Sequence, residues 1–184
     1  MYEGNEVNEL AAAAAVEVTR ELDFAELVRD NQAMVYSIAY HSLNDRAVAE
    51  ELAQDVFLQL HRNLNRLESP EHATHWLRKV ATHRAIDHAR RHPRRLEVDF
   101  EHVPEPSTPA ADSDPLLRSW VRKLVASLPE KKRMIVVLRY QEEMEIDAIA
   151  KLMGMPARTV RTQLHRTLAL LREKASKVLG EITV

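Results

Sequence analysis

The sequence predicts an all-α protein of two small helical domains joined by a proline-rich acidic linker, on three observations. Apolar residues recur at helical spacing almost everywhere outside one segment. Glycine occurs only three times in 184 residues, and clusters of β-branched residues are sparse. The exception, residues 96–115, holds four of the eight prolines and six acids with no Lys or Arg, and has no apolar period, which is the composition of a linker. The expected layout is an acidic, alanine-rich extension over 1–22, a three-helix domain over 23–95, the linker over 96–115 and a four-helix domain over 116–184.

Each element has its own signals. Asp23 and Glu26 have the spacing of a capping box, opening a helix whose stripe is Phe24, Leu27, Val28, Val35, Ile38 and Leu43. Asn44 and Asp45 end it and begin the next. The second helix carries Val48, Leu52, Val56, Leu60, Leu64 and Leu67 on one buried face. Ser69-Pro70 supplies a capping hydroxyl and a residue tolerated at the first helical position, so a third helix runs to about Arg91, before Pro93. Beyond the linker come a helix around Leu116–Ser127, one begun by Pro129, a short one over Ile146–Met153 and a long one from near Pro156. Residues 1–22 are compatible with disorder or with a helix through Ala11–Ala15.

Composition excludes several classes of function. The chain has no cysteine, so a disulfide framework and a thiolate metal site are both out, and a reducing cytoplasm is the expected home. The N-terminus is acidic where a secretory signal is basic, and the alanine run is too short to span a bilayer, so no membrane insertion is expected. No phosphate-cradling glycine loop and no nucleophile elbow is present; no enzyme activity and no cofactor are expected. His88 and His92 have ligand-like spacing, but no HExxH-type signature accompanies them and Arg90, Arg91 and Arg94 repel a cation, so no metal is expected.

The net charge of −2 hides strong segregation. Trp76–Arg95 holds seven Lys or Arg against Asp87 alone, and Lys151–Lys177 holds seven against Glu173 alone. Two cationic stretches separated by an acidic one suit contact with polyanions at two places, although a single charge run by itself is better read as a solvated helix face.

The second basic stretch contains a helix-turn-helix pattern, Ile146-Asp-Ala-Ile-Ala150-Lys-Leu-Met-Gly154-Met-Pro-Ala-Arg-Thr-Val160. Ala150 permits close helix approach, Gly154 suits the left-handed turn, and Ile149, Met153 and Val160 supply the inward residues. With Val160, Leu164, Leu168 and Leu171 inward, Arg158, Arg161, Thr162 and His165 share an outward face fit for a major groove, with Arg166 and Arg172 placed for phosphates. The first basic stretch, His75–Arg91, has no turn partner. Lys79, Thr82, His83 and Arg84 with Trp76 nearby offer cations and polar or flat groups for unstacked bases, while Trp76 suits core packing as well. Asp87 stands four residues before Arg91, the spacing of an intrahelical salt bridge. A third cluster, Glu50, Glu51, Gln54 and Asp55 on the second helix, has no basic i+4 partner and suits either a basic protein partner or a solvated face.

In this order, and divided by an acidic linker, the three motifs resemble the extracytoplasmic-function sigma factors of the sigma-70 superfamily, over about Phe24 to Lys174. The resemblance implies a sigma-2-like first domain and a sigma-4-like second one, which recruit RNA polymerase to promoters. Ala49–Phe57 looks like the family's polymerase-binding segment, which implies that Glu51, Gln54 and Asp55 meet the clamp helices of the largest subunit, with the C-terminal domain at the flap region. Trp76–Arg91 looks like the segment that melts and reads the −10 element as single-stranded non-template DNA, implying roles for Trp76, Lys79, Thr82, His83, Arg84, Arg90 and Arg91. Leu128–Tyr140 and the helix-turn-helix look like the domain that reads the −35 element as duplex, implying Arg158, Thr159, Arg161, Thr162, His165 and Arg166. An anti-sigma protein is the family's usual regulator. The chain departs from the pattern at Ala73, where an aromatic is frequent, at His83, where asparagine is common, and at Arg158 and Gln163, where a small and a basic residue are usual. Two other classes compete on the residues alone: a repressor or activator that binds a palindrome without polymerase, and a helical interaction module with no nucleic-acid role.

Overall fold

A computed structural model describes residues 22–92 and 115–181, and every regular element among them is a helix. These are α1 (Phe24–Leu43), α2 (Arg46–Asn63), α3 (Pro70–Arg91), α4 (Pro115–Ala126), α5 (Glu130–Tyr140), α6 (Ile146–Met153) and α7 (Ala157–Glu181), with a 3-10 turn over Leu64–Arg66. The expectations for residues 1–21 and 93–114 fall outside the described residues.

The caps stand where short polar residues meet apolar periods. Asp23 accepts a hydrogen bond from the Ala25 backbone N–H at 2.8 Å, Asp45 from that of Val48 at 3.1 Å, and the Ser69 hydroxyl from that of His72 at 3.1 Å. Each satisfies a donor that the first helical turn leaves without a partner. Asn44 ends α1 in the left-handed region, at φ 51°. Pro129 is the N-cap of α5 and lies outside the helix, in an extended conformation with ψ 143°. Pro115, assigned from the sequence to the linker, is the first residue of α4; its lack of an N–H costs nothing at that position.

α1 packs across both α2 and α3. Leu27, Val35, Ile38 and Leu43 are buried, as are Leu52, Val56 and Leu60 of α2. The α2 stripe continues to the buried Leu67, but through the 3-10 turn, because the α-helix stops at Asn63. Of the stripe expected on α6, Ile149 is buried and Met153 only half so. Leu152, three residues from Ile149, takes the inward place instead.

α5 differs from the other helices. Met134, Ile135, Val136, Val137 and Leu138 are all buried, so no side of the helix centre faces water. A helix lying on one partner buries a stripe; burial of five successive residues requires cover all round. On one side α5 meets α4, α6 and α7, and on the other α1 and α3. One continuous buried cluster therefore runs from Leu27 to Leu164 through both halves of the chain, with a second, smaller one around Trp120 and Leu124.

Candidate nucleic-acid and partner interfaces

The turn between α6 and α7 is held by backbone geometry. Gly154 takes φ 63° and ψ 37°, and the Met155 N–H reaches back to the Ala150 carbonyl at 2.9 Å, closing α6. Pro156 then starts the next turn, its carbonyl accepting from Thr159 at 2.8 Å and from Val160 at 3.1 Å. Val160, Leu164 and Thr167 point inward. That registers Arg158, Arg161, Thr162, His165 and Arg166 on the exposed side, whereas Thr159 is half-buried at its edge. Among the described residues, Arg158, Arg161 and Arg166 form no ion pair, which leaves their donors available to an outside anion.

α3 presents two faces. Trp76, Lys79, His83 and Arg90, at intervals of three, four and seven, share one: Lys79, His83 and Arg90 are exposed and Trp76 is half-buried against the core. The other turns towards α2, where Arg84, Asp87, His88 and Arg91 line an open cleft of about 440 Å³ with Glu51 and Asp55. Thr82 lies on neither face. It is fully buried, and its hydroxyl finds no partner among the described residues, so the contact with single-stranded DNA expected of it has no surface here. Asp87 pairs with Arg90 at 2.8 Å, three residues on, in place of Arg91, which stays exposed.

The acidic patch of α2 is partly neutralised. Glu50 pairs with Arg46 at 2.9 Å and Asp55 with Arg84 at 2.7 Å, while the Arg84 Nε reaches the Gln59 side-chain oxygen at 3.3 Å. Neither acid finds its base four residues ahead, where local spacing would put it. One base lies four residues behind and the other on a different helix. Such exposed pairs add little to stability, so an incoming partner can exchange them at little cost. Glu51, Gln54 and Asp55 are exposed together, and Leu58, 57% exposed, continues their face by one turn. In the sequence Leu58 gives one signal of this role, an apolar residue off the buried stripe.

Two stretches match family models, residues 27–95 that of Sigma-70 region 2 and residues 118–171 that of Sigma-70, region 4. The chain is 24% identical over 168 residues to the ECF RNA polymerase sigma factor SigW of Bacillus subtilis, covering 82% of this chain and 88% of that one. It is 32% identical over 154 residues to the RNA polymerase sigma-E factor of Streptomyces coelicolor, covering 83% and 86%. The chain belongs to the extracytoplasmic-function group of the sigma-70 family. In this sigma factor, region 2 spans most of α1–α3, and region 4 runs from within α4 into α7. The sigma factor RpoE of Bartonella quintana, solved in complex with the anti-sigma factor NepR, shares the fold at a TM-score of 0.63 and 17% identity, over 86% of this chain and 97% of that one. The family is one of transcription-initiation factors and not of enzymes. Among the described residues of this sigma factor, no helix is long and apolar enough to cross a membrane.

Proposed function

We propose that this sigma factor docks on core RNA polymerase through the exposed α2 face of Glu51, Gln54, Asp55 and Leu58, and directs it to promoters by reading two DNA forms with two helices. α7 enters the major groove of the −35 element, with Arg158, Arg161, Thr162 and His165 towards base edges and Arg166 towards phosphate. α3 holds the −10 non-template strand, with Lys79, His83, Arg90 and Arg91 on phosphates and bases and Trp76 at the junction. Opening the duplex costs about 1.4 kcal/mol per base-pair step, which captured bases and phosphate contacts offset. The observation that carries the reading is the exposed, unpaired cationic row of α7, placed outward by the Gly154 turn. By the same reading the protein works in the cytoplasm with the polymerase, its C-terminal domain meets the flap region, and an anti-sigma protein covers these surfaces when the signal is absent.

Run-off transcription with purified core polymerase on a genomic promoter library tests this. The wild-type protein is expected to start transcripts at a small set of promoters, and Glu51→Lys, Arg161→Ala and Lys79→Ala to reduce them. Duplex binding as tight without core enzyme as with it would point instead to an ordinary helix-turn-helix regulator.

A further inference from the structure

The chain has no cysteine, so methionine is its only sulfur. Of the six methionines, Met1 lies outside the described residues. Met134 is 1% exposed, and its sulfur accepts from the Ser42 hydroxyl at 3.7 Å. Met34, on α1, is half-buried. The other three, Met144, Met153 and Met155, fall within twelve residues at the helix-turn-helix. All three are half-buried and packed against its core, partly open to a reagent and partly within apolar packing.

Backbone contacts fix where these three stand. The Met144 N–H donates to the Leu138 carbonyl at 2.9 Å, and the Met144 carbonyl accepts from Arg139 at 2.9 Å, which seats the residue at the entry to α6. Met153 is the last residue of α6, and Met155 follows Gly154 in the turn, where its N–H closes the helix on Ala150. Two methionines thus flank the residue whose left-handed backbone sets the direction of α7. Peroxide transfers one oxygen atom to such a thioether. A sulfur lone pair attacks a peroxide oxygen, the O–O bond breaks, and the departing hydroxide takes the proton of the S–OH so formed and leaves as water. Sulfur is oxidised by two electrons and peroxide is reduced by two. The sulfoxide is polar, and holding it in an apolar contact is unfavourable unless a donor meets it.

We propose that Met144, Met153 and Met155 are an oxidation site: peroxide converts them to sulfoxides, the packing on both sides of Gly154 loosens, and the cationic row of α7 is no longer held for the −35 groove. The inference rests on the promoter reading proposed above. The polymerase-docking face lies on α2, away from these residues, so the oxidised protein still binds core enzyme and fails at the −35 element. Met134 is spared by its burial. Reduction of the sulfoxides, which takes one reductase for each epimer, restores the turn. The result is a reversible response to oxidant that needs no thiol.

Purified protein treated with hydrogen peroxide and mapped by mass spectrometry is expected to carry sulfoxide at 144, 153 and 155 before 134; oxidation of Met134 at an equal rate overturns the inference. Added to core enzyme, the oxidised protein is expected to capture a promoter duplex found by run-off transcription about tenfold more weakly, with its affinity for core enzyme within about twofold of the untreated protein. An equal loss of both counts against a site confined to the turn. Met144→Leu with Met153→Leu and Met155→Leu, a change of nearly equal volume, is expected to keep capture through the same treatment, whereas Met34→Leu remains as sensitive as wild type. A triple variant that loses capture on treatment as wild type does sinks the proposal. Without any substitution, sulfoxide reductases for both epimers are expected to restore the oxidised wild-type protein, and a failure to recover speaks against it. Hydrogen exchange over 146–164 follows the loosening with no DNA present: it is expected to quicken on oxidation, and an unchanged rate refutes the inference. Should exchange quicken while even untreated holoenzyme selects no promoter, the promoter reading has failed and the oxidation site stands.

Discussion

Gly154 is the residue on which the orientation of the α7 face depends. A Cβ added there meets nothing within 4 Å, so the difficulty with any other side chain is backbone conformation and not space. Placing an L-residue at φ 63° costs about 1–2 kcal/mol, less for asparagine. Gly154→Ala is therefore expected to lower stability by about that amount in urea unfolding, with Gly154→Asn closer to wild type; equal stabilities would mean that the turn relaxes. Thr82 gives the reverse expectation. Its buried hydroxyl has no partner among the described residues, so Thr82→Val keeps the shape and removes an unsatisfied group. Stability should stay level or rise by up to about 1 kcal/mol, and −10 recognition, measured by permanganate footprinting of the melted strand, should not change. A selective loss of melting would restore Thr82 to the DNA surface.

At the level of elements, helix boundaries are legible where short polar residues meet apolar periods: Asp23, Asp45, Ser69 and Gly154 all stand where their side chains or backbone freedom require. What the sequence does not show is which side of a helix a neighbour covers. Leu152 replaces Met153 because both adjoin Ile149 and only the packing of α6 chooses between them. Thr82 reads as one more polar group on a basic helix until α3 is seated against its neighbours. The Arg84–Asp55 pair joins residues 29 apart, beyond any rule of local spacing. The cationic row of α7 was legible in full, apart from the half-buried Thr159. For that row the prediction is a difference in kind between two substitutions. Arg161→Ala should weaken −35 duplex capture by holoenzyme with some relaxation of base preference, and Arg166→Ala should weaken it uniformly across sequences while reducing the salt slope by about one. Electrophoretic titrations at several salt concentrations distinguish them, and identical behaviour would remove the base-edge role from Arg161.

For the whole molecule, the contact between halves brings an expected sensitivity to acid. His41, on α1, is half-buried next to the Tyr40 ring, and desolvation first, then the Arg122 charge, hold its pKa below the ordinary imidazole value. The native state thus takes up this proton less readily than the unfolded chain. Its contribution to stability is fully present above about pH 6.5 and declines as pH falls below that value. Lowering the pH from 7.5 to 5.5 is expected to reduce the melting temperature, with His41→Asn flattening that part of the profile. Identical profiles for both proteins would relieve His41 of the role. The complete wrapping of α5 also bears on solubility. Without α1 and α3 over it, the side of this helix that rests on them would be a greasy strip with nothing to cover it. A chain that loosens there on heating or in acid is thus expected to clump with its own copies, so heat loss of this protein should depend on how concentrated it is.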